Sequence, residues 1–257
     1  MVWGKHQLPQ QEADLPWCRS QGIDLARRVS GGGTVVHDKG SWNLTVIMPR
    51  AQYNTCAVYG LFQQWIGGLV EGVSCRGGEG IFLDDKKVSG HAYCYRKDRV
   101  LHHGTLLVDS DLDRLRRALR APELSVTTHA VSSNRASVAN LSAWGARSHD
   151  VGSAAESAIE KQWGACASFA VRHDEEKVNR MRHWDQVFGG TPRFTTDLGG
   201  DTWVVRHGLV ESRMVDGEEE NGVVHPRGKG PRFVHEDLFP SGGAAELQNH
   251  PVLFPAD

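Results

Sequence analysis

LARRVSGGGTVVHDKGSWN, residues 25–43, is the stretch on which the reading of this chain turns. Arg27 and Arg28 lead into Ser30 and three consecutive glycines, Gly31, Gly32 and Gly33. A β-prone run, Thr34, Val35 and Val36, follows, and then His37 and Asp38. Consecutive glycines forgo side-chain packing and cost chain entropy, so they are kept where backbone turns sharply or lies against something. A guanidinium beside bare amide N–H groups is a common way to hold phosphate or carboxylate. Alone, the glycines read as a hairpin turn between strands at 23–29 and 34–37. The whole pattern, Arg-Arg-x-Ser-Gly-Gly-Gly-x-Val-x-His-Asp, reads as an anion site.

Working outward, Val2-Trp3 looks like the end of a strand, and 10–21 like a short helix with Leu15, Trp17 and Cys18 inward. Residues 42–48 alternate as a strand that Pro49 ends. Between Cys56 and Val73 the apolar residues, among them Val58, Leu61, Phe62, Trp65 and Ile66, fall at helical spacing, which makes a core-packing helix. A loop at 74–80 leads to a strand and turn at 80–85. Residues 87–95 alternate, placing Val88, Gly90, Ala92 and Cys94 on one face and Lys87, Ser89, His91, Tyr93 and Tyr95 on the other. After a turn at 97–99 another strand spans 100–108. A helix at 112–119 is capped by Asp109, Ser110 or Asp111. Residues 121–143 read mostly as loop, 151–163 as helix, 168–171 as a short strand and 175–184 as a charged helix. Short strands follow at 193–196, 202–206 and 209–215, and 216–230 reads as loop or disorder. The fold class is α+β: a mixed or antiparallel sheet with flanking helices, and a small accessory piece. The domain boundary is placed at 175/176, giving a catalytic domain 1–175 and a partial accessory domain with an irregular tail at 176–257.

Composition excludes several classes. With 29 basic and 31 acidic residues the net charge is −2, so no overall basic field attracts nucleic acid. Thirteen histidines are many, but no His-Glu-x-x-His or Cys-x-x-Cys spacing marks a metal site, and none is expected. The five scattered cysteines fit reduced thiols better than a disulfide framework. No apolar run approaches the roughly 20 residues of a membrane helix. The opening MVWGKHQLPQQEAD reads neither as a secretory signal nor as a transit peptide, so no targeting segment is visible.

Four segments carry polar groups that a plain core does not need: 27–38, 85–90, 101–107 and 133–141. Lys87 opens an alternating strand, and Gly90 argues for close approach of something to that strand. A lysine aimed into a cleft beside Arg28 and the glycine amides makes a compact anion hole, suited to an acyl phosphate whose charge grows in the transition state. His102 and His103 lie on opposite strand faces, so at most one reaches that cleft. Asn140 and Arg135 read equally well as loop contacts to a ligand or as capping residues.

Together these segments resemble the lipoate–protein ligase and lipoyltransferase family, whose fold is that of the biotin–lipoate ligases. The resemblance rests on RRVSGGGTVVHDKGSWN (27–43), KKVSGHAYCYRKDRVLHHGTLL (86–107) and SSNRASVANL (132–141). Gly4-Lys5-His6-Gln7 with Glu12 resembles the family's Gly-Arg-x-Gln…Glu segment, and 183–194 the start of its accessory domain. The resemblance implies that Arg28, Ser30, Gly31, Gly32, Gly33, Thr34, Val35, Val36 and His37, with Ser89, Gly90 and His103, bind nucleotide and lipoyl adenylate. It implies that Lys87 is the catalytic lysine, touching both the lipoyl carboxylate and the α-phosphate. The implied reaction converts lipoate and ATP, with Mg²⁺ screening the phosphates, into lipoyl-AMP and pyrophosphate. An acceptor lysine then attacks the mixed anhydride. Val29, Val35 and the Val88 strand are expected to line a slot for the apolar dithiolane chain. The implied partners are lipoyl domains of 2-oxoacid dehydrogenases and the glycine-cleavage H protein, with no nucleic acid and no membrane. The implied location is mitochondrial in a eukaryote and cytoplasmic in a bacterium.

Three departures qualify the resemblance. The family's first strand and helix are missing before Met1, Cys94 stands where bacterial ligases tend to carry a basic residue, and the tail beyond about 216 no longer follows the accessory domain. The alternatives they keep open are transfer from preformed lipoyl-AMP, octanoyl transfer through a Cys94 thioester, and non-catalytic binding of lipoyl groups or carriers.

Overall fold

The computed structural model describes residues 1–221 except 122, 123, 169, 171–173, 199, 216 and 217. The strand expected at 168–171 and the tail beyond 221 fall in whole or part outside the described residues.

The chain begins with a two-residue strand β1 (Val2–Trp3), two short helices, α1 (Pro9–Glu12) and α2 (Leu15–Ser20), and a second short strand β2 (Ala26–Arg27). The single helix expected over 10–21 is broken, because extended backbone at Ala13 ends α1 and Asp14 caps α2, accepting from the Trp17 amide at 2.9 Å. The glycine hairpin does not form either. β2 pairs in parallel with β1, Val2 opposite Ala26, while on the far side of the glycines Val35 bridges to Val2. The N-terminal strand is thus inserted between the two flanks of the turn.

The main sheet follows: β3 (Ser41–Pro49), helix α3 (Thr55–Gly67), then β4 (Ser74–Arg76), β5 (Gly80–Leu83), β6 (Lys86–Arg96) and β7 (Arg99–Leu107). It is antiparallel throughout, in the order β3-β7-β6-β5-β4. Helix α3 stops short of its expected end at 73, at the pair Gly67-Gly68. Residues 74–76, expected as loop, form β4 by pairing with Gly80–Phe82. Helix α4 (Leu112–Ala118) starts at Asp111, which accepts from the Arg114 amide at 2.8 Å. Next come β8 (Val126–Thr128), helix α5 (Val151–Trp163, the span the sequence predicts), α6 (Glu175–Arg182), α7 (Trp184–Val187), β9 (Phe194–Leu198), β10 (Asp201–Arg206), β11 (Leu209–Val215) and β12 (Glu218–Asn221). Strands β8 to β12 make a second five-stranded sheet in the order β12-β11-β10-β9-β8. Two of its edges correct the sequence reading: β8 lies in a span read as loop, and β12 in one read as loop or disorder.

One face of the main sheet packs on α3 and α5. Leu61, Phe62, Trp65, Val88, Leu106 and Val151 form that core, and the Trp65 indole donates to the Val151 carbonyl at 2.9 Å. The opposite face is turned toward the glycine turn, and between them lies the site.

Candidate active site

The turn is held from beneath by its two arginines, each doing a different job. Arg27 donates to the carbonyls of Gly4 (3.0 Å), Gln7 (2.9 Å) and Val187 (3.0 Å) and to the Thr191 hydroxyl (3.0 Å), tying the N-terminal segment to α7 and the chain beyond it. Arg28 donates to the carbonyls of Gly31 (2.7 Å) and Gly33 (2.6 Å), to that of Val2 (3.3 Å), and to the Ser30 hydroxyl (3.2 Å). The Gly31 and Gly33 carbonyls are therefore spent on Arg28. Burial lowers both guanidinium pKa values to about 10, and both side chains stay charged at neutral pH. Gly32 has φ +84°, a conformation L side chains rarely adopt, and a Cβ on Gly4 would lie 2.2 Å from the Gly32 carbonyl oxygen. These two glycines let the N-terminal segment and the turn touch backbone to backbone.

A second clamp brings the 132–141 loop onto the turn. Glu12, nearly fully buried, accepts from the Ser133 amide at 2.9 Å and from its hydroxyl. The same hydroxyl oxygen accepts from the Thr34 amide (2.9 Å) and from Gln7 Nε2 (2.9 Å). Gln7 Oε1 accepts from the Gly4 amide (2.8 Å) and the Thr34 hydroxyl (3.0 Å). The Gln7–Glu12 pair seen in the sequence is thus a structural latch.

Lys87 meets this loop from the sheet. Its amide donates to the Ser137 carbonyl at 2.8 Å, and its carbonyl accepts from the Ala139 amide at 3.2 Å. The pairing of β5 with β6 slips by one residue between Ile81, opposite Ser89, and Phe82, opposite Lys87, so Val88 is an extra residue. The bulge moves Lys87 off the face of Ser89 and His91, where simple alternation puts it. Its Cε lies 3.5 Å from where a Gly90 Cβ would stand, on the cavity side with Ala92. Burial lowers the Lys87 pKa, and Glu79 opposes that shift. Among the described residues no side chain hydrogen-bonds the Lys87 ammonium.

The bulge also removes the reason for setting Cys94 on the face opposite Lys87. Distance replaces it: seven residues of strand separate the two by roughly 20 Å, and Cys94 does not line the cavity.

The histidines divide as their alternation requires. His103 faces the turn, 2.6 Å from the Ser30 hydroxyl. His102 is fully buried on the other face, hydrogen-bonded to the Tyr53 hydroxyl (3.0 Å) and to His91 (3.3 Å), and His91 continues to Ser89 at 3.1 Å. Burial, reinforced by neighbouring positive charge, lowers the pKa of His91 to about 3 and of His102 and His103 to about 4. All three are neutral at physiological pH. His37 is lowered too, by burial and then by the N-terminal amine and Arg28.

These elements enclose a cavity of about 890 Å³. Of the residues predicted from the sequence, Arg28, Gly32, Gly33, Thr34, Val35, Val36, His37, Lys87, Ser89, Gly90 and His103 line it. Ser30 and Gly31 do not: Ser30 is buried between Arg28 and His103, and Gly31 serves through its carbonyl. Val35 lines the cavity as expected, whereas Val29 is 59% exposed outside it and the Val88 side chain is fully buried in the core on the α3 face. Arg135 lines the cavity; Asn140 instead holds the Ser110 backbone at 3.0 and 2.8 Å. The sequence reading passed over Leu107, Leu115, Leu119 and Glu79 in the wall. Leu115 and Leu119 belong to an ordinary amphipathic helix pattern, which carries no sign of a ligand.

Residues 1–162 match the family model described as the lipoyl protein ligase A/B catalytic domain. The chain is 32% identical over 211 residues to lipoate-protein ligase A of Psychrobacter cryohalolentis, covering 76% of this chain and 62% of that protein. It is 31% identical over 211 residues to the mitochondrial lipoyl amidotransferase LIPT1 of Mus musculus, covering 77% of this chain and 57% of that one. A solved lipoate-protein ligase A bound with ATP superposes with a TM-score of 0.54 at 26% identity, covering 70% of this chain and 75% of that chain. The chain therefore spans about three fifths of the length of these two curated relatives.

Proposed function

The chain belongs to the lipoyl protein ligase A/B catalytic-domain family, and on that premise we propose that its cavity holds a lipoyl adenylate and passes the lipoyl group to a lysine of an acceptor protein. The observation that carries this reading is convergence. Arg28 with its glycine turn, Lys87 on its bulge, His103 and the 132–138 loop come from four separate segments and line one cavity. The division of labour follows from their chemistry. Lys87, with a partner-free ammonium, stabilises the anionic oxygens where carboxylate and α-phosphate meet. The Arg28 guanidinium adds positive charge, and Val35 and Leu107 supply apolar wall for the acyl chain.

Carboxylate attack on ATP brings like charges together, so two cations lower that barrier. In the second half, the acceptor amine forms the amide and AMP departs. The cavity suits ATP and lipoate as substrates. Magnesium finds no cage among the described residues, where no three His, Cys, Asp or Glu side chains converge. In this chemistry it is carried by the phosphates.

The residues lining the cavity all fall between Val2 and Val138, which supports assigning catalysis to 1–175 and an accessory role to 176–257. Acceptors are lipoyl domains of 2-oxoacid dehydrogenases and the glycine-cleavage H protein. The compartment is mitochondrial in a eukaryote, the location carried in the mouse relative's name, and cytoplasmic in a bacterium.

Lipoate-dependent ATP–pyrophosphate exchange tests the ligase half. Exchange supports adenylate synthesis by this chain; no exchange, with transfer from supplied lipoyl-AMP intact, reduces the activity to transfer alone.

A further inference from the structure

The charge around the cavity is lopsided. Arg28, Lys87, Arg116, Arg120 and Arg135 line it, against two carboxylates, Glu12 and Glu79. That balance suits an adenylate, but the nucleophile of the second half-reaction arrives as an ε-ammonium. Arg116 is paired with Asp113, but a cation approaching the other four is repelled unless an anion is placed to receive it. Glu12 cannot serve, because it is 3% exposed and both its oxygens accept from Ser133.

Glu79 remains. It sits on the turn between β4 and β5, exposed, and its side chain has no hydrogen-bond partner among the described residues. Its backbone is fixed: the Glu79 amide donates to the Arg76 carbonyl at 2.9 Å, and the flanking Gly78 and Gly80 have φ of +79° and +133°. A Cβ on Gly80 would stand 2.3 Å from the Ser89 carbonyl oxygen and 2.8 Å from Lys87 Cε, so the turn lies flat against β6 beside the Lys87 stem. Glu79 is close enough to Lys87 to favour its charged form.

We infer that Glu79 receives the acceptor lysine's ε-ammonium and positions it for attack on the adenylate. The inference rests on the lipoyl-adenylate reading above. The ammonium gives one proton to water, and the nitrogen lone pair forms the C–N bond. The C–O bond to phosphate breaks with its electron pair leaving on AMP, and the nitrogen's second proton goes to water. Glu79 forms no bond. It holds the cation beside Lys87 and lowers the repulsion on approach.

The test compares two nucleophiles on preformed lipoyl-AMP bound to the full chain: the lysine of an apo lipoyl domain, charged on arrival, and hydroxylamine, neutral at pH 7.5. Rates are taken above the enzyme-free background. Glu79→Gln is expected to slow transfer to the lysine by about 10- to 100-fold more than it slows hydroxylamine capture, and Glu79→Asp to recover part of the difference. Equal slowing with both nucleophiles means that Glu79 acts only through Lys87 or the turn, and overturns the inference. No slowing with either overturns it as well. If the parent protein transfers to neither nucleophile, the lipoyl-adenylate reading fails first, and the inference with it.

Discussion

Lys87 is bridged main chain to main chain with Val138, its amide and carbonyl both bonded to the loop that crosses the cavity. The strand and the loop therefore share one frame, and the ammonium at the end of Lys87 is placed by backbone rather than by side-chain partners. Removing it leaves that frame intact. Lys87→Ala is expected to slow adenylation by about 100- to 1000-fold, the loss usual for one transition-state donor, with the thermal midpoint little changed. Pyrophosphate exchange read beside a melting curve checks this; a rate equal to the parent's marks Lys87 as an ordinary surface lysine.

The turn makes a different demand. Gly32 has a positive φ, and the Arg28 guanidinium lies 3.1 Å from where its Cβ would stand. Gly32→Val strains the backbone and pushes Arg28 away from the carbonyls it holds. Nucleotide binding by calorimetry is expected to fall below detection while the far-ultraviolet dichroism stays native. Binding at parental affinity would mean that the glycines make a turn and nothing more.

Ser133 gives a test of the latch. Its hydroxyl donates to Glu12 and accepts from Gln7 and the Thr34 amide, so Ser133→Ala leaves a buried carboxylate short of one donor. The expected cost is about 1–3 kcal/mol of stability, with a raised KM for ATP as the loop loosens. Urea denaturation with steady-state kinetics reads both; a neutral substitution would place the loop's order elsewhere.

The buried histidines set an acid limit. His102 titrates near 6.5 when unfolded and at about 4 when folded, so the unfolded chain binds more protons between those values. Its contribution is complete above the unfolded pKa and is lost as pH falls from about 6.5 toward 4. Between pH 7 and 5 this amounts to about 1–2 kcal/mol, and His91 works in the same direction, its folded pKa being about 3. Denaturant unfolding at both pH values is expected to show the drop, and His102→Gln to reduce it, His91 and His103 supplying the remainder. A drop unchanged in the variant would mean that His102 takes no part in the acid limit.

Much of this was legible before the fold was known, and the failures have physical causes. Helix α5 and the strands β3, β6 and β7 announce themselves by period, and the arginine–glycine run marks the site because its composition makes poor core. The facing of Lys87 was not readable, since one extra residue at Val88 inverts the alternation and that bulge depends on pairing with β5, remote from the local pattern. The hairpin failed for a similar reason: β1 enters between the flanks of the turn, an insertion that only tertiary contact decides. Ser30, expected to bind nucleotide, stays out of the cavity lining, because its hydrogen bonds to Arg28 and His103 make it a support for the wall.

Whether the cavity passes a lipoyl group from adenylate to acceptor is decided by a single turnover with preformed lipoyl-AMP and an apo lipoyl domain, read by intact mass. The expected result is one lipoyl group on the acceptor's lysine, release of AMP, no adduct on this chain, and loss of the transfer in Lys87→Ala. A lipoyl or octanoyl adduct on this chain that disappears in Cys94→Ala, or tight binding of the adenylate with no transfer, would contradict it.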